Sequence, residues 1–285
     1  MLGPVSESEQ ASHAGPSPTL SADLAFASDL AERAGRILAE RYERVERVDY
    51  KGTKDVVTEV DHLSEALILD AIRAHGPGDA ILAEETGGHD GHGGQATSGV
   101  GRLWIVDPLD GTINYANGVP YFCVSIAMVL DGVPSLGVVH DPIRAETFAA
   151  VAGGPAHLNG REIRTPAKPA LNDFVVSLWL NGRASGRRSA SVMKAVRAVR
   201  NMGSAALALA YVAHGRFDGF VQEGGLSLWD IAAAGLIAEA GGATVTDLAG
   251  GPWFNLGHPT RSISVLAAPP TGHGQFLALV RGDRG

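Results

Sequence analysis

The chain has 285 residues, 45% of them apolar and 19% charged. That is enough for one large domain or two, and too apolar for a disordered acidic polymer. Twenty-three basic against thirty-one acidic residues leave a formal charge of −8, which argues against a general nucleic-acid surface and against docking on an anionic membrane. Cys123 is the one cysteine, so no intrachain disulfide forms. The apolar stretches, such as 121–130, fall well short of the ~20 residues that span a membrane. No Lys or Arg precedes Arg33, so the basic start of a signal peptide is missing. A cytoplasmic protein is expected.

Residues 1–20 are rich in Ser, Gly, Pro and Ala without periodicity and read as a disordered tail. From 22 to about 42, Leu24, Ala27, Leu30, Ala34 and Leu38 recur at helical spacing and predict a first long helix. Thr58 opens a second helix that runs to about 75, and Thr58-x-x-Asp61 has the form of a capping box. A short buried strand is expected at 80–83, closed by Glu84-Glu85, and the seven glycines of 86–101 predict a mobile loop. A strand at 103–106 follows, with Pro108 as its stop. Strands 124–130 and 133–140 form a hairpin around Asp131-Gly132, and 146–151 with an Asn159-Gly160 turn continues the β-rich part. The second half alternates: strand 174–180, helices 189–199 and 204–214, strand 217–221, a helix 230–240 stopped by Gly241-Gly242, strand 262–267 and helix 274–280. This mixture implies a layered α/β or α+β fold and not a purely doubly wound sheet, with halves at 21–165 and 166–285.

The densest chemistry lies in Trp104-Ile105-Val106-Asp107-Pro108-Leu109-Asp110-Gly111-Thr112. An apolar strand delivers Asp107 to its end, and Asp110 follows within a turn. Two carboxylates this close repel each other unless a cation sits between them. Hard oxygens without thiols select Mg²⁺ or a similar ion. If a helix starts at Gly111 and Thr112, their amide hydrogens can hold a phosphate. The plain alternative is a turn carrying two solvated aspartates. Glu84-Glu85 can supply a ligand from a second element, although acids at a strand end commonly face solvent. Asp230 reads as an N-cap, and a carboxylate beside a positive helix end is also placed to close a metal cluster. Asp61, in the first turn of its helix, has the same double reading.

In this order Val57-Thr58-Glu59-Val60-Asp61, Ala83-Glu84-Glu85, Asp107-Pro108-Leu109-Asp110-Gly111-Thr112-Ile113-Asn114-Tyr115, Gly203-Ser204-Ala205-Ala206, Trp229-Asp230 and Glu239-Ala240-Gly241-Gly242 resemble the inositol monophosphatase family, over about 22–282. The resemblance implies a layered αβαβα sandwich of the inositol monophosphatase and fructose-1,6-bisphosphatase type. It also implies Mg²⁺-dependent, lithium-sensitive hydrolysis of a phosphate monoester, with two to three ions per site. Glu84 and Asp107, with the carbonyl of Leu109, would hold one ion. Asp107, Asp110 and Asp230 would hold a second, and Glu84 would orient the waters of a third. Thr112 and Asp61 would position or deprotonate the attacking water, and the backbone of Gly111 and Thr112 would bind phosphate. Ser204, Ala205 and Glu223 would meet the substrate. A homodimer is a further implication.

The first substrate expectation is inositol monophosphate or a related polyol phosphate. Histidinol phosphate, fructose 1,6-bisphosphate, adenosine 3′,5′-bisphosphate and a biosynthetic sugar phosphate are the alternatives. A binding or regulatory protein that kept the fold and lost turnover is the rival of another class. Intact Asp61, Glu84, Asp107, Asp110, Thr112 and Asp230 speak against it.

Some positions depart from the pattern or stay outside it. Tyr115 stands where the family usually has Phe, and the glycine-rich stretch 152–160 is short and contains Pro155. Arg183, Arg187 and Arg188 can meet a second charged group of a substrate, but a solvated loop is the simpler reading. His89 and His92 read as exposed loop histidines, since imidazole suits zinc better than this carboxylate set. His140 reads as hydrogen-bonded scaffold, and Cys123 as a core residue.

Overall fold

The computed structural model describes residues 18–44, 48–52, 55–89, 101–182 and 184–282. Helix α1 (Pro18–Arg41) is followed by a ribbon of β1 (Val48–Gly52) and β2 (Asp55–Thr58), then by α2 (Glu59–His75). Next come β3 (Ala80–Ala83), β4 (Gly87–His89), β5 (Arg102–Asp110), α3 (Thr112–Ala116), β6 (Cys123–Leu130), β7 (Val133–Asp141), β8 (Glu146–Val151), β9 (Ala156–Leu158) and β10 (Arg161–Ile163). The remainder is β11 (Val175–Trp179), α4 (Ser185–Ala195), β12 (Ala198–Arg200), α5 (Ala205–His214), β13 (Gly219–Leu226), α6 (Leu228–Ala240), β14 (Thr244–Thr246), β15 (Ile263–Ala268) and α7 (Pro270–Arg281).

Two large sheets organise these elements. One has eight strands in the order β10-β9-β8-β7-β6-β5-β3-β4, and the other has five in the order β12-β11-β13-β15-β14. Helices α1 and α2 cover the outer face of the larger sheet, packing Leu30, Leu38, Ile68 and Ile72 against Trp104, Phe122 and Val138. Helices α5 and α6 fill the space between the sheets. Helices α4 and α7 close the far face of the smaller sheet over Phe174, Val176 and Leu266. The layers therefore run α-β-α-β-α. Because both faces of β5 are covered, Leu103 and Ile105 point to the middle layer while Trp104 and Val106 point outwards, which is why this strand reads as an unbroken apolar run.

Between their ends the middle helices are apolar all round because no face of them meets water there. Their alanines let the layers close up. A Cβ on Gly137 of β7 would lie 2.7 Å from the Ala233 backbone of α6, so glycine is required for that approach. The expected division near 165 falls between β10, an edge of the larger sheet, and β11 of the smaller.

Several expectations need correction. Pro108 does not end the strand: β5 runs on to Asp110 through a bulge against β6. Gly87–His89, placed in a loop from sequence, pairs with β3 as β4. Helix α4 spans Ser185–Ala195, not 189–199, and Ala198–Arg200 is a strand parallel to β11. Arg187 and Arg188 therefore sit on a helix, not in a loop. Helix α1 begins at Pro18, inside the expected tail. The rest of that tail, residues 90–100 with His92, and Arg183 lie outside the described residues.

Candidate metal and phosphate site

The bulge in β5 brings the two motif aspartates together. Asp107 pairs with Ser125 and Asp110 with Cys123, so three steps along β5 match two along β6. Without the extra residue, side chains three apart would point to opposite faces of the sheet. With it, both carboxylates face the middle layer, and proline is tolerated at such a position. The bulge is tied down locally: Asp107 Oδ1 accepts from the Leu109 amide at 3.0 Å, and Ser64 Oγ of α2 donates to the Pro108 carbonyl at 2.9 Å.

Asp230 completes the cluster from α6. It is not the N-cap; Ser227 is, and Asp230 stands at the third helical position with its Oδ2 accepting from the Ser227 amide at 2.6 Å. Asp61 does the same on α2, where Oδ2 accepts from the Thr58 amide at 2.8 Å and from Thr58 Oγ1 at 2.6 Å. Both aspartates thus use one oxygen to cap their helix, and Asp61 gives its other oxygen to Thr112. Asp107, Asp110 and Asp230 each offer a carboxylate oxygen, and these lie within 4.8 Å of one another. Glu84 arrives from the neighbouring strand. Its amide donates to the Val106 carbonyl at 3.2 Å, which carries the β3–β5 pairing one residue further, and its side chain reaches Asp107.

The electrostatics follow from burial. Desolvation, with the charges of Glu84, Asp110 and Asp230, holds the Asp107 carboxyl well above the usual range. Desolvation and then Asp110 and Glu84 do the same to Asp230. Asp110 is raised to about 6 by burial, against hydrogen bonds that favour its charged form. Acids packed this way hold their protons more tightly than in water unless a cation replaces them. Oxygen donors alone, on rigid elements, suit a hard divalent ion. The residues present therefore fit a metal.

Asp110 is held by residues far along the chain. Its Oδ2 accepts from Ser204 Oγ at 2.5 Å and from the Ala206 amide at 2.8 Å, with Cys123 Sγ at 3.9 Å. Ser204 is also the N-cap of α5. Cys123 is a core residue as expected, and its thiol, kept neutral by burial, touches this carboxylate as well. Asp61 Oδ1 accepts from Thr112 Oγ1 at 3.0 Å, and the same hydroxyl lies 3.0 Å from the Leu109 carbonyl. Burial raises Asp61 to about 6. Gly111 precedes α3 at φ 98°, a backbone that favours glycine.

A cavity of about 220 Å³ adjoins the cluster, lined by Asp110, Asp230, Ser204, Ala205, Ser177, Trp179, Asn201 and Gln222 among others. Glu223 is not among the lining residues. Its carboxylate accepts from both terminal nitrogens of Arg188, at 3.0 and 2.5 Å, and from the Asn181 amide at 2.8 Å. Arg188 is thus paired with Glu223 and is not among the residues that line the cavity. Sequence reasoning missed Ser64 and the bridging role of Asn114, which donates to the carbonyls of Tyr121 and Met202 at 2.7 and 2.6 Å. Spacing on α2, three beyond Asp61, was the only trace of Ser64. Tyr115 keeps its aromatic packing and donates its hydroxyl to the Leu38 carbonyl at 2.8 Å. His140 is scaffold, with Nδ1 3.0 Å from Thr147 Oγ1.

Two sheets, three helical layers and this carboxylate cage define a layered α/β protein with an acidic site able to hold metal ions. The chain belongs to the inositol monophosphatase family, whose model matches residues 19–282. It is 40% identical over 228 residues to fructose-1,6-bisphosphatase/inositol-1-monophosphatase of Thermotoga maritima, covering 80% of this chain and 85% of that protein. It is 37% identical to Nus factor SuhB of Haemophilus influenzae, covering 90% and 95%. Among solved structures, suhB from Bartonella henselae superposes with a TM-score of 0.83 at 32% identity, over 92% of this chain and 100% of that one. An IMPase of Thermotoga maritima gives 0.81 at 36% identity, over 92% and 97%.

Proposed function

We propose that the protein is a Mg²⁺-dependent phosphate monoester hydrolase acting on inositol monophosphate or a related polyol phosphate. The observation that carries this reading is the gathering of Asp107, Asp110 and Asp230 within 4.8 Å of one another, beside a cavity. Glu84, Asp107, the Leu109 carbonyl, Asp110 and Asp230 would hold the ions. When bound, these supply charge neutralisation for a dianionic phosphate and an acidified water.

The chain's own part is positioning and proton traffic. Thr112 has one hydroxyl proton and two acceptors, Asp61 and the Leu109 carbonyl, both at 3.0 Å. Donation to Asp61 leaves the Thr112 oxygen free to accept from an attacking water. Asp61, raised to about 6, titrates close enough to neutrality to serve as a base. The amides of Gly111 and Thr112 would face the phosphate.

The names of the SuhB relatives support a second reading, a binding or regulatory role. Phosphate release from a panel of esters with and without Mg²⁺ separates the two. Metal-dependent release is expected, and no release from any ester favours the binding role. Asp107→Asn should lower turnover by a factor of about 10³ or more with the circular dichroism spectrum unchanged. Near-normal turnover in that variant refutes the metal assignment. The molecule is further proposed to be a cytoplasmic homodimer inhibited by lithium. Sedimentation velocity and a lithium titration check the assembly and the inhibition.

A further inference from the structure

We propose that Trp179 and Gln222 select the substrate, seating an uncharged hydroxylated ring against the indole face and the neighbouring carboxamide. This rests on the phosphatase reading above and names the organic half of the ester.

Strands β11 and β13 run parallel, with Ser177 opposite Phe220 and Trp179 opposite Gln222. Phe220 is buried in the middle core. Side chains two apart share a face, so Gln222 points to the same side, as do Ser177 and Trp179. All four line the cavity that holds Asp110 and Asp230. Glu223 falls on the opposite face, where Arg188 of α4 neutralises it. The alternation of the strand thus presents an amide, not an acid, to the ligand.

Trp179 is 47% exposed, a large apolar surface at the mouth of a polar site. A ring carrying hydroxyls at its edge has C–H faces that pack on indole, while the hydroxyls find amide donors and acceptors. Asn201 adds a second amide. Apart from the two aspartates, the described lining residues carry no charge, so a second phosphate finds no counter-charge there. At about 220 Å³ the cavity is below the usual size of small-molecule pockets and suits one ring.

The test is steady-state phosphate release by the Mg²⁺-loaded full chain on myo-inositol 1-phosphate, fructose 1,6-bisphosphate and ethyl phosphate, whose alcohol carries no ring. Trp179→Ala should lower kcat/KM on inositol phosphate about tenfold more than on ethyl phosphate, mainly through KM. Trp179→Phe should restore most of the difference, and Gln222→Leu should reproduce part of it. Equal losses on both esters, or a wild-type preference for the bisphosphate, overturn the proposal. A wild type silent on all three esters refutes the hydrolase reading instead. Calorimetry with inositol 1-phosphate then decides: binding lost in Trp179→Ala upholds the ring seat, and equal binding overturns it.

Discussion

At the scale of single residues, the site is a set of acids whose spare oxygens are already assigned. Asp61 and Asp230 each cap their own helix with Oδ2, and Asp110 Oδ2 is held by the Ser204 hydroxyl and the Ala206 amide of α5. Partners of this kind fix ligand orientation, and their loss costs about 10–100-fold in metal affinity. Ser204→Ala should weaken Mg²⁺ or Mn²⁺ binding by that factor in a calorimetric titration, and loss of the α5 cap should lower the stability of the metal-free protein by about 1 kcal/mol. An unaltered affinity would mean that the hydroxyl serves only the helix.

Asp61 also sets a pH dependence. Its pKa rises from 3.8 to about 6 on folding. Its protonated form therefore favours the folded state, so its contribution is fully present below pH 3.8 and is lost as pH rises through 6. A displacement of about two pKa steps is worth on the order of 3 kcal/mol. In EDTA, the stability of wild type relative to Asp61→Asn should fall between pH 4 and pH 7. A flat difference over that range would contradict the burial argument.

At the scale of elements, a bulge and one glycine-permitted contact carry the geometry. The extra residue in β5 decides that Asp107 and Asp110 share a face. Gly137 lets α6 lie close enough on β7 for the Asp230 end of that helix to meet β5. Gly137→Ala would press a methyl group to 2.7 Å from the Ala233 backbone. Overpacking of this kind costs about 1–3 kcal/mol, and the denaturation midpoint should drop accordingly. Because the strain reaches the α6 layer, metal affinity should drop with it, whereas Gly153→Ala, with open space around its Cβ position, should leave metal binding unaltered.

At the scale of the whole molecule, the middle helices join the two sheets and a few partly buried ion pairs pin the layers. Arg216, just after α5, forms two bonds to Glu146 of β8 at 2.5 and 2.6 Å and lies over the Tyr211 ring. The Arg216 guanidinium holds the Glu146 carboxyl below its usual value. That contribution is present above the unfolded pKa and lost as pH falls through the folded one. Arg216→Ala leaves a partly buried carboxylate unpaired and should cost about 2–3 kcal/mol at neutral pH, less in acid. Urea denaturation at pH 7 and pH 3 measures the difference.

The sites of chemistry were legible along the chain because their signals are local. The Thr58-x-x-Asp61 capping box, the Asp-Pro-x-Asp-Gly-Thr segment, the Asp131-Gly132 and Asn159-Gly160 turns and the helical spacing of 22–42 depend on neighbours within a few positions. Apart from the meeting of Asp107, Asp110 and Asp230, which the family resemblance implied, what depended on partners far away was not legible. Pro108 looked like a strand stop because a bulge is defined by the opposite strand. Asp230 looked like a cap because the choice between Ser227 and Asp230 is made by backbone geometry. Glu223 and Arg188, thirty-five positions apart, looked like a substrate contact and a free loop, and the packing of α4 on the smaller sheet made them each other's partner. Local periodicity and turn chemistry are properties of the chain. Which face a strand turns to the site, and which acids meet, is decided only when the layers close, because burial there sets both the direction and the charge of each side chain.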